Sequence, residues 1–301
     1  MNNAAAARPK GPRIFLEYDQ IELDRCYDQA NWAPNMEIVH TRSDAHCAVV
    51  RARLGEPARL AYGPTEIEKL DLFKARNSGA PVFIYIHGGA WRSGSSSRSH
   101  GPAEMFVDAG CNFVALDFNT VIETGGDLMP MIDQVRRAVV WVYRNAASFG
   151  ADAERIYVYG HSSGAHLAGN VLTTDWPKRY DAPMSIIKGG MVTSGMYELA
   201  PVRLSARSKY VNFTDAMVEA LSSIRHIDFL NCPIVVTYGD QESPEFQRQN
   251  RDFAAAVEKA GKPVKLQVGV GLNHFEIAET LSNPYSMLGR SALELIGAKG
   301  A

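Results

Sequence analysis

The sequence predicts an α/β fold, a mostly parallel central sheet with helices on both faces. Three observations carry that expectation. Continuous apolar runs of strand length recur along the chain, as strands buried on both faces require. Helical stretches alternate with them, the order that builds a parallel sheet. Neither an internal repeat nor a linker-like stretch divides the 301 residues, a length that fits one large domain.

The totals narrow the function classes. Hydrophobic content of 46% and charged content of 21% are ordinary for a globular protein. A formal net charge of −2 gives no basic excess for nucleic acid or an anionic membrane surface. Cys26, Cys47, Cys111 and Cys232 form no C-x-x-C pair, which disfavours metal knuckles and a disulfide framework. Reduced thiols in a cytoplasmic protein are the expectation. The alanine run near the N-terminus is short for a signal segment, and no basic residue precedes it. No apolar run approaches the roughly 20 residues of a membrane span.

Taken in order, residues 1 to about 12 read as disordered. Residues 17–31 read as a short helix that packs Tyr18, Tyr27 and Trp32 on the main body, so 1–45 is expected to be an N-terminal arm and 46–301 the main domain. Residues 45–54 fit either the end of a helix or an edge strand. Leu60-Ala-Tyr-Gly-Pro64 reads as a turn, and the alternation in Lys69–Lys74 as a half-buried strand. Pro81–His87 is a buried strand that ends in His87-Gly-Gly-Ala-Trp91 and a serine-rich loop. A helix over 102–109 leads to a strand over 111–118. Ile132, Val135, Val139 and Val142 form one apolar stripe of a helix over 129–148. Strands follow at 155–160, 186–193, 233–239 and 264–270, with helices over 246–260 and 285–296. Residues 198–229 lack a clean period and read as a cap of short helices. The cap and the loop at 120–130 are expected to shape a pocket.

The chemistry centres on Gly160-His-Ser-Ser-Gly164, a G-x-S-x-G pattern between a strand and a helix. Such a turn is strained and needs small flanking residues; it presents Ser162 Oγ at the sheet edge and at a helix N-terminus. A serine hydroxyl becomes a nucleophile when a base takes its proton, and the base is oriented by a carboxylate. His274 directly follows the last expected strand and, of the eight histidines, is the one placed behind an acid-bearing loop. His161 points away from the proton to be moved, and His166 is expected to pack. Asp240 or Glu242 could orient His274. Backbone N–H groups must also meet the developing oxyanion. Ser163 supplies one, and Gly89 and Ala90 supply others, with Gly88 shaping the loop and His87 bracing it. Trp91 could stack on an aryl leaving group or pack as a core indole. No metal or organic cofactor is needed for this chemistry.

These residues resemble the α/β-hydrolase superfamily and, within it, the arylformamidase branch and its bacterial esterase relatives. The resemblance runs from about Tyr62 to Ile277. It is carried by Tyr62-Gly-Pro64 with Leu70-Asp-Leu-Phe73, His87-Gly-Gly-Ala-Trp91, Gly160-His-Ser-Ser-Gly-Ala-His166, Ser243-Pro-Glu-Phe246 and Asn273-His-Phe-Glu276. It implies Ser162 as nucleophile, His274 as base and an α/β-hydrolase fold. The branch's acid is an aspartate immediately before S-P-E-F; here that position is Glu242, which the resemblance favours over Asp240. Ala90 stands where the formamidases usually show tyrosine, which opens the pocket. The implied partner is a small-molecule ester or amide, and a homodimer is an assembly common among such relatives.

Overall fold

A computed structural model describes residues 9–298. Eight strands form one sheet: β1 (Ala58–Ala61), β2 (Lys69–Phe73), β3 (Ala80–Ile86), β4 (Asn112–Leu116), β5 (Ala151–His161), β6 (Gly189–Thr193), β7 (Ile234–Gly239) and β8 (Val264–Gly269). Their order is β1-β2-β4-β3-β5-β6-β7-β8. The β1–β2 and β2–β4 pairs are antiparallel, and every pair from β4 to β8 is parallel. The chain leaves β3 for β4 on one side and returns to β5 on the other. Ligand sites form outside the carboxyl ends of strands at such a reversal.

Alternate residues of the inner strands feed two cores. Val82, Ile84, Ile86, Val114, Leu116, Val158, Val192 and Val236 face one; Phe83, Phe113, Ala115, Tyr157, Tyr159, Met191 and Val235 face the other. The first core is covered by the helices Met129–Asn145, Ser163–Leu172 and Pro244–Lys259, the second by Ala103–Asp108 and Met287–Leu295. Ile132, Val135, Val139 and Val142 are all fully buried, so the 3.6-residue stripe did mark the inward face.

Several local readings change. Residues 45–54 are the end of one helix, Met36–Leu54, stopped at Gly55 with φ 84°. The expected arm boundary at 45/46 therefore falls inside a continuous helix. Leu60 and Ala61, read as a turn, close β1, and the turn starts at Tyr62. This edge strand, Ala-Arg-Leu-Ala, is mostly exposed and has no apolar alternation to announce it. In the arm, the helix Gln20–Cys26 buries Leu23, and Tyr27 just after it is buried too; Ile21 points outward and Trp32 stays half-exposed beneath Arg25. The expected disorder of residues 1–12 falls largely on 1–8, outside the described residues. Between β6 and β7 lie the short helices Leu199–Arg203 and Asp215–Leu221 with three 3-10 turns.

Candidate active site

β5 runs straight into the helix Ser163–Leu172, and Ser162 sits between them at φ 58°, ψ −125°. That backbone costs a non-glycine residue about 1–3 kcal/mol. Its N–H donates to Thr193 O at 2.9 Å, which ties the turn to β6. A Cβ at Gly160 would overlap the Gly164 carbonyl, and one at Gly164 would overlap the Ile86 carbonyl. The turn closes only because both positions lack a side chain.

Ser162 Oγ lies 2.8 Å from His274 Nε2, and His274 Nδ1 lies 2.8 Å from Glu242 Oε2. With Nδ1–H donating to the carboxylate, Nε2 is left to accept from the serine hydroxyl. Glu242 is 1% exposed. Its other oxygen accepts Ser194 Oγ–H at 2.6 Å and Gly239 N–H at 2.7 Å. Asp240 is directed elsewhere. Its Oδ1 accepts Gly271 N–H at 2.8 Å and the Gln241 amide at 3.0 Å, bracing the turn after β8.

His274 is fixed from several sides. His161 Nε2–H donates to the His274 carbonyl at 2.7 Å, and the two rings lie 4.7 Å apart. Burial first, then the neighbouring His274 imidazole, pushes the His161 pKa down to about 3, so His161 is a neutral donor. Phe246 and Phe275 meet the His274 ring edge-on at 5.1 and 5.2 Å. Sequence reasoning placed His161 away from the moving proton but missed this support.

The loop after β3 crosses in front of the elbow. A Cβ at Gly88 would stand 2.8 Å from the His161 carbonyl oxygen, so glycine permits the close approach. Gly89, Ala90 and Trp91 all have positive φ, 109°, 55° and 62°. Among the described residues, the N–H groups of Gly89, Ala90 and Ser163 meet no acceptor. The Trp91 N–H donates to Ser163 Oγ at 3.1 Å and locks the loop to the elbow helix. Buried His87 stacks on Phe118 at 4.2 Å, and burial lowers its pKa.

Trp91, expected as one candidate to touch a leaving group, does not line the cavity. Its indole is 2% exposed, and its N–H donates to His166 Nδ1 at 3.2 Å. His166 Nε2 in turn donates to the Leu221 carbonyl of the cap at 3.0 Å. Burial pushes the His166 pKa down to about 4.

A cavity of about 870 Å³ opens on Ser162 and His274. The loop 88–95 and the cap residues Ala206, Arg207 and Tyr210 form part of its wall. The loop at 120–130, expected to contribute, does not. The N-terminal arm contributes instead, through Tyr27, Gln29, Met36 and His40. The arm also grips the loops that carry Glu242 and His274. Gln29 Nε2 donates to Ser243 Oγ at 3.1 Å, and Tyr27 Oη–H to Glu245 Oε1 at 2.8 Å. Asn35 donates to Glu276 at 2.6 Å and accepts from Asn273 at 2.7 Å.

The sheet, the strained serine turn and the carboxylate–imidazole–hydroxyl chain define a serine hydrolase of the α/β-hydrolase class. A model described as the prolyl oligopeptidase family matches residues 133–287, and one described as BD-FAE matches residues 70–188. Kynurenine formamidase of Danio rerio is 32% identical over 295 residues, which are 94% of this chain and 97% of that protein. Kynurenine formamidase of Salmo salar is 30% identical, covering 94% and 98%. The crystal structure of a putative thioesterase from Silicibacter sp. TM1040 superimposes with a TM-score of 0.78 at 22% identity, over 93% of this chain and 99% of that one, and shows the same fold. The chain belongs to the α/β-hydrolase family of the kynurenine formamidases.

Proposed function

We propose that the protein cleaves aryl formamides and small acyl esters through an acyl-enzyme on Ser162. The observation that carries the reading is the unbroken chain from Ser162 Oγ through His274 to Glu242, with 2.8 Å at each step. Ser162 attacks the carbonyl while His274 takes its proton, and Glu242 holds the imidazole in the accepting tautomer and balances the imidazolium. The N–H groups of Gly89, Ala90 and Ser163 receive the oxyanion, on a loop shaped by Gly88; losing one such donor costs about 3 kcal/mol of transition-state stabilisation. His274 then protonates the leaving amine or alcohol, and water clears the acyl group.

The formamide preference draws support from the two kynurenine formamidases and from a cavity of about 870 Å³, large enough for an aryl leaving group. Ala90 in place of the usual tyrosine favours leaving groups other than kynurenine itself. The second reading is a general carboxylesterase, supported by the 26% identity to esterase LipQ of Mycobacterium tuberculosis over 70% of this chain. A non-catalytic ligand-binding role fits less well, because hydroxyl, imidazole and carboxylate are all in hydrogen-bonding contact. Four buried, free cysteines suit a reducing, cytoplasmic setting, and light scattering would test the proposed homodimer.

A fluorophosphonate should label the wild type and leave Ser162→Ala unlabelled. Turnover of formanilide against phenyl acetate separates the two enzyme readings: ester cleavage without formamide cleavage would leave the carboxylesterase. Failure of the probe to label the wild type would sink both.

A further inference from the structure

One buried charge in the cavity wall has no counter-ion. Arg207 lies in the 3-10 turn Ala206–Lys209 of the cap, lines the cavity that opens on Ser162, and is 6% exposed. Its partners are neutral. Nη2 donates to the Tyr27 carbonyl at 2.9 Å, Nη1 to Tyr210 Oη at 3.0 Å, and the guanidinium lies 5.2 Å from the Trp91 ring centre. No carboxylate stands within ion-pair distance among the described residues, and the buried Nε–H meets no acceptor. Buried charges are ordinarily paired, and an unmade hydrogen bond in the interior costs stability. Arg136 is equally buried without a carboxylate, but it bonds Thr174 and the Asn170 carbonyl, away from the cavity.

The surrounding charges favour the same sign of ligand. Arg92, with its guanidinium 4.4 Å from the Tyr210 ring, and Lys209 also line the cavity, and neither makes an ion pair among the described residues. Of the acids in the wall, Asp44 is paired with Arg98. Asp24 already accepts from the Ala206 N–H and from Gln20, and exposed Asp28 accepts from the Ala30 N–H. The exposed groups are screened by salt, whereas a guanidinium shielded from water acts at nearly full strength.

We propose that Arg207 is a specificity-determining residue that holds a carboxylate borne by the leaving-group half of the substrate. The inference rests on the reading that substrate occupies the cavity beside Ser162. It does not depend on whether the scissile bond is a formamide or an ester. A planar guanidinium anchored by Tyr27 and Tyr210 is pre-organised to meet a carboxylate.

The experiment compares two matched pairs, 3-formamidobenzoate with formanilide and 3-carboxyphenyl acetate with phenyl acetate. The wild type should favour the carboxylate member by about 10-fold to 100-fold in kcat/KM, the worth of a hydrogen bond to a charged group. Added salt should change that ratio little, because the guanidinium is shielded from water. Arg207→Gln should bring it towards one, and Arg207→Lys should retain part of it. Benzoate should inhibit the wild type more strongly than benzamide, a comparison that needs no variant. Equal kcat/KM within each pair for the wild type, or an unchanged ratio in a folded Arg207→Gln protein, would overturn the proposal. If only the ester pair turns over, the formamide reading fails and the Arg207 test still stands.

Discussion

Glu242 meets two demands at once. One oxygen orients His274, and the other accepts from Ser194 and Gly239, so the carboxylate cannot rotate without losing bonds on both sides. Glu242→Ala should therefore lower kcat by about 10⁴-fold, the size of loss seen when an orienting acid of this kind is disabled. Asp240→Ala should do far less, because Asp240 reaches the reaction only through the turn at Gly271. Steady-state kinetics with a neutral ester would check the ranking, and the reverse order would overturn the assignment. Residue spacing alone left both acids open, since two carboxylates two positions apart behind one strand satisfy the same pattern. What separates them is the path of the loop, which Asp240 itself helps to set. Ser194 gave no signal at all: a serine at the end of β6 is unremarkable until its φ of 57° aims it at Glu242. Trp91 was open between two readings, a platform for a leaving group and a core indole, and its 2% exposure fits the second. Its N–H finds a partner in His166, and that bond keeps it inside.

The arm from Asp19 to Leu54 is where pattern reading was weakest. Its helices were partly legible from apolar spacing, and its packing on the body was expected. Its grip on the loops bearing Glu242 and His274 was not, because the contacts join residues 214 and 241 positions apart, beyond any local periodicity. The inner strands were the easy case, since long apolar runs can only be buried. Asn35 offers the cleanest test of the arm's role. It lies outside the cavity wall but bonds both Asn273 and Glu276 on either side of His274 and Phe275. Loosening that loop should misplace the imidazole while the substrate still binds. Asn35→Ala should lower kcat about 10-fold, as small misplacements of catalytic groups do, with a smaller change in KM. Asn35→Gln, whose amide can still donate to Glu276 and accept from Asn273, should recover part of the loss. A fall in melting temperature with kcat intact would make Asn35 scaffold alone.

Across the whole molecule, the sheet brings its C-terminal edge, the cap and the arm together around a set of buried, uncharged imidazoles, and this has a cost in acid. His161 and His166 carry pKa values pushed down to about 3 and about 4 from 6.5, each chiefly by burial, and His87 is shifted in the same direction. The folded pKa lies below the unfolded one, so the unfolded chain binds protons first as the pH drops. Stability is then fully present above about pH 6.5 and is lost as the pH falls towards the folded values. For His166 the loss approaches about 3 kcal/mol once the pH has passed its folded pKa, and about 2 kcal/mol has already gone by pH 5. The paired carboxylates Asp71 and Glu68, with pKa values lowered from 3.8 and 4.5, add a loss of the same sign at lower pH, so the interval from pH 7 to 5 belongs mainly to the histidines. Urea unfolding across that interval should show a steep decline for the wild type. His166→Gln has an amide that can accept from Trp91 and donate to Leu221 without titrating. It should start less stable at pH 7 but decline by about 2 kcal/mol less by pH 5. Parallel curves for the two proteins would mean that His166 is not held neutral by its burial between the glycine loop after β3 and the cap.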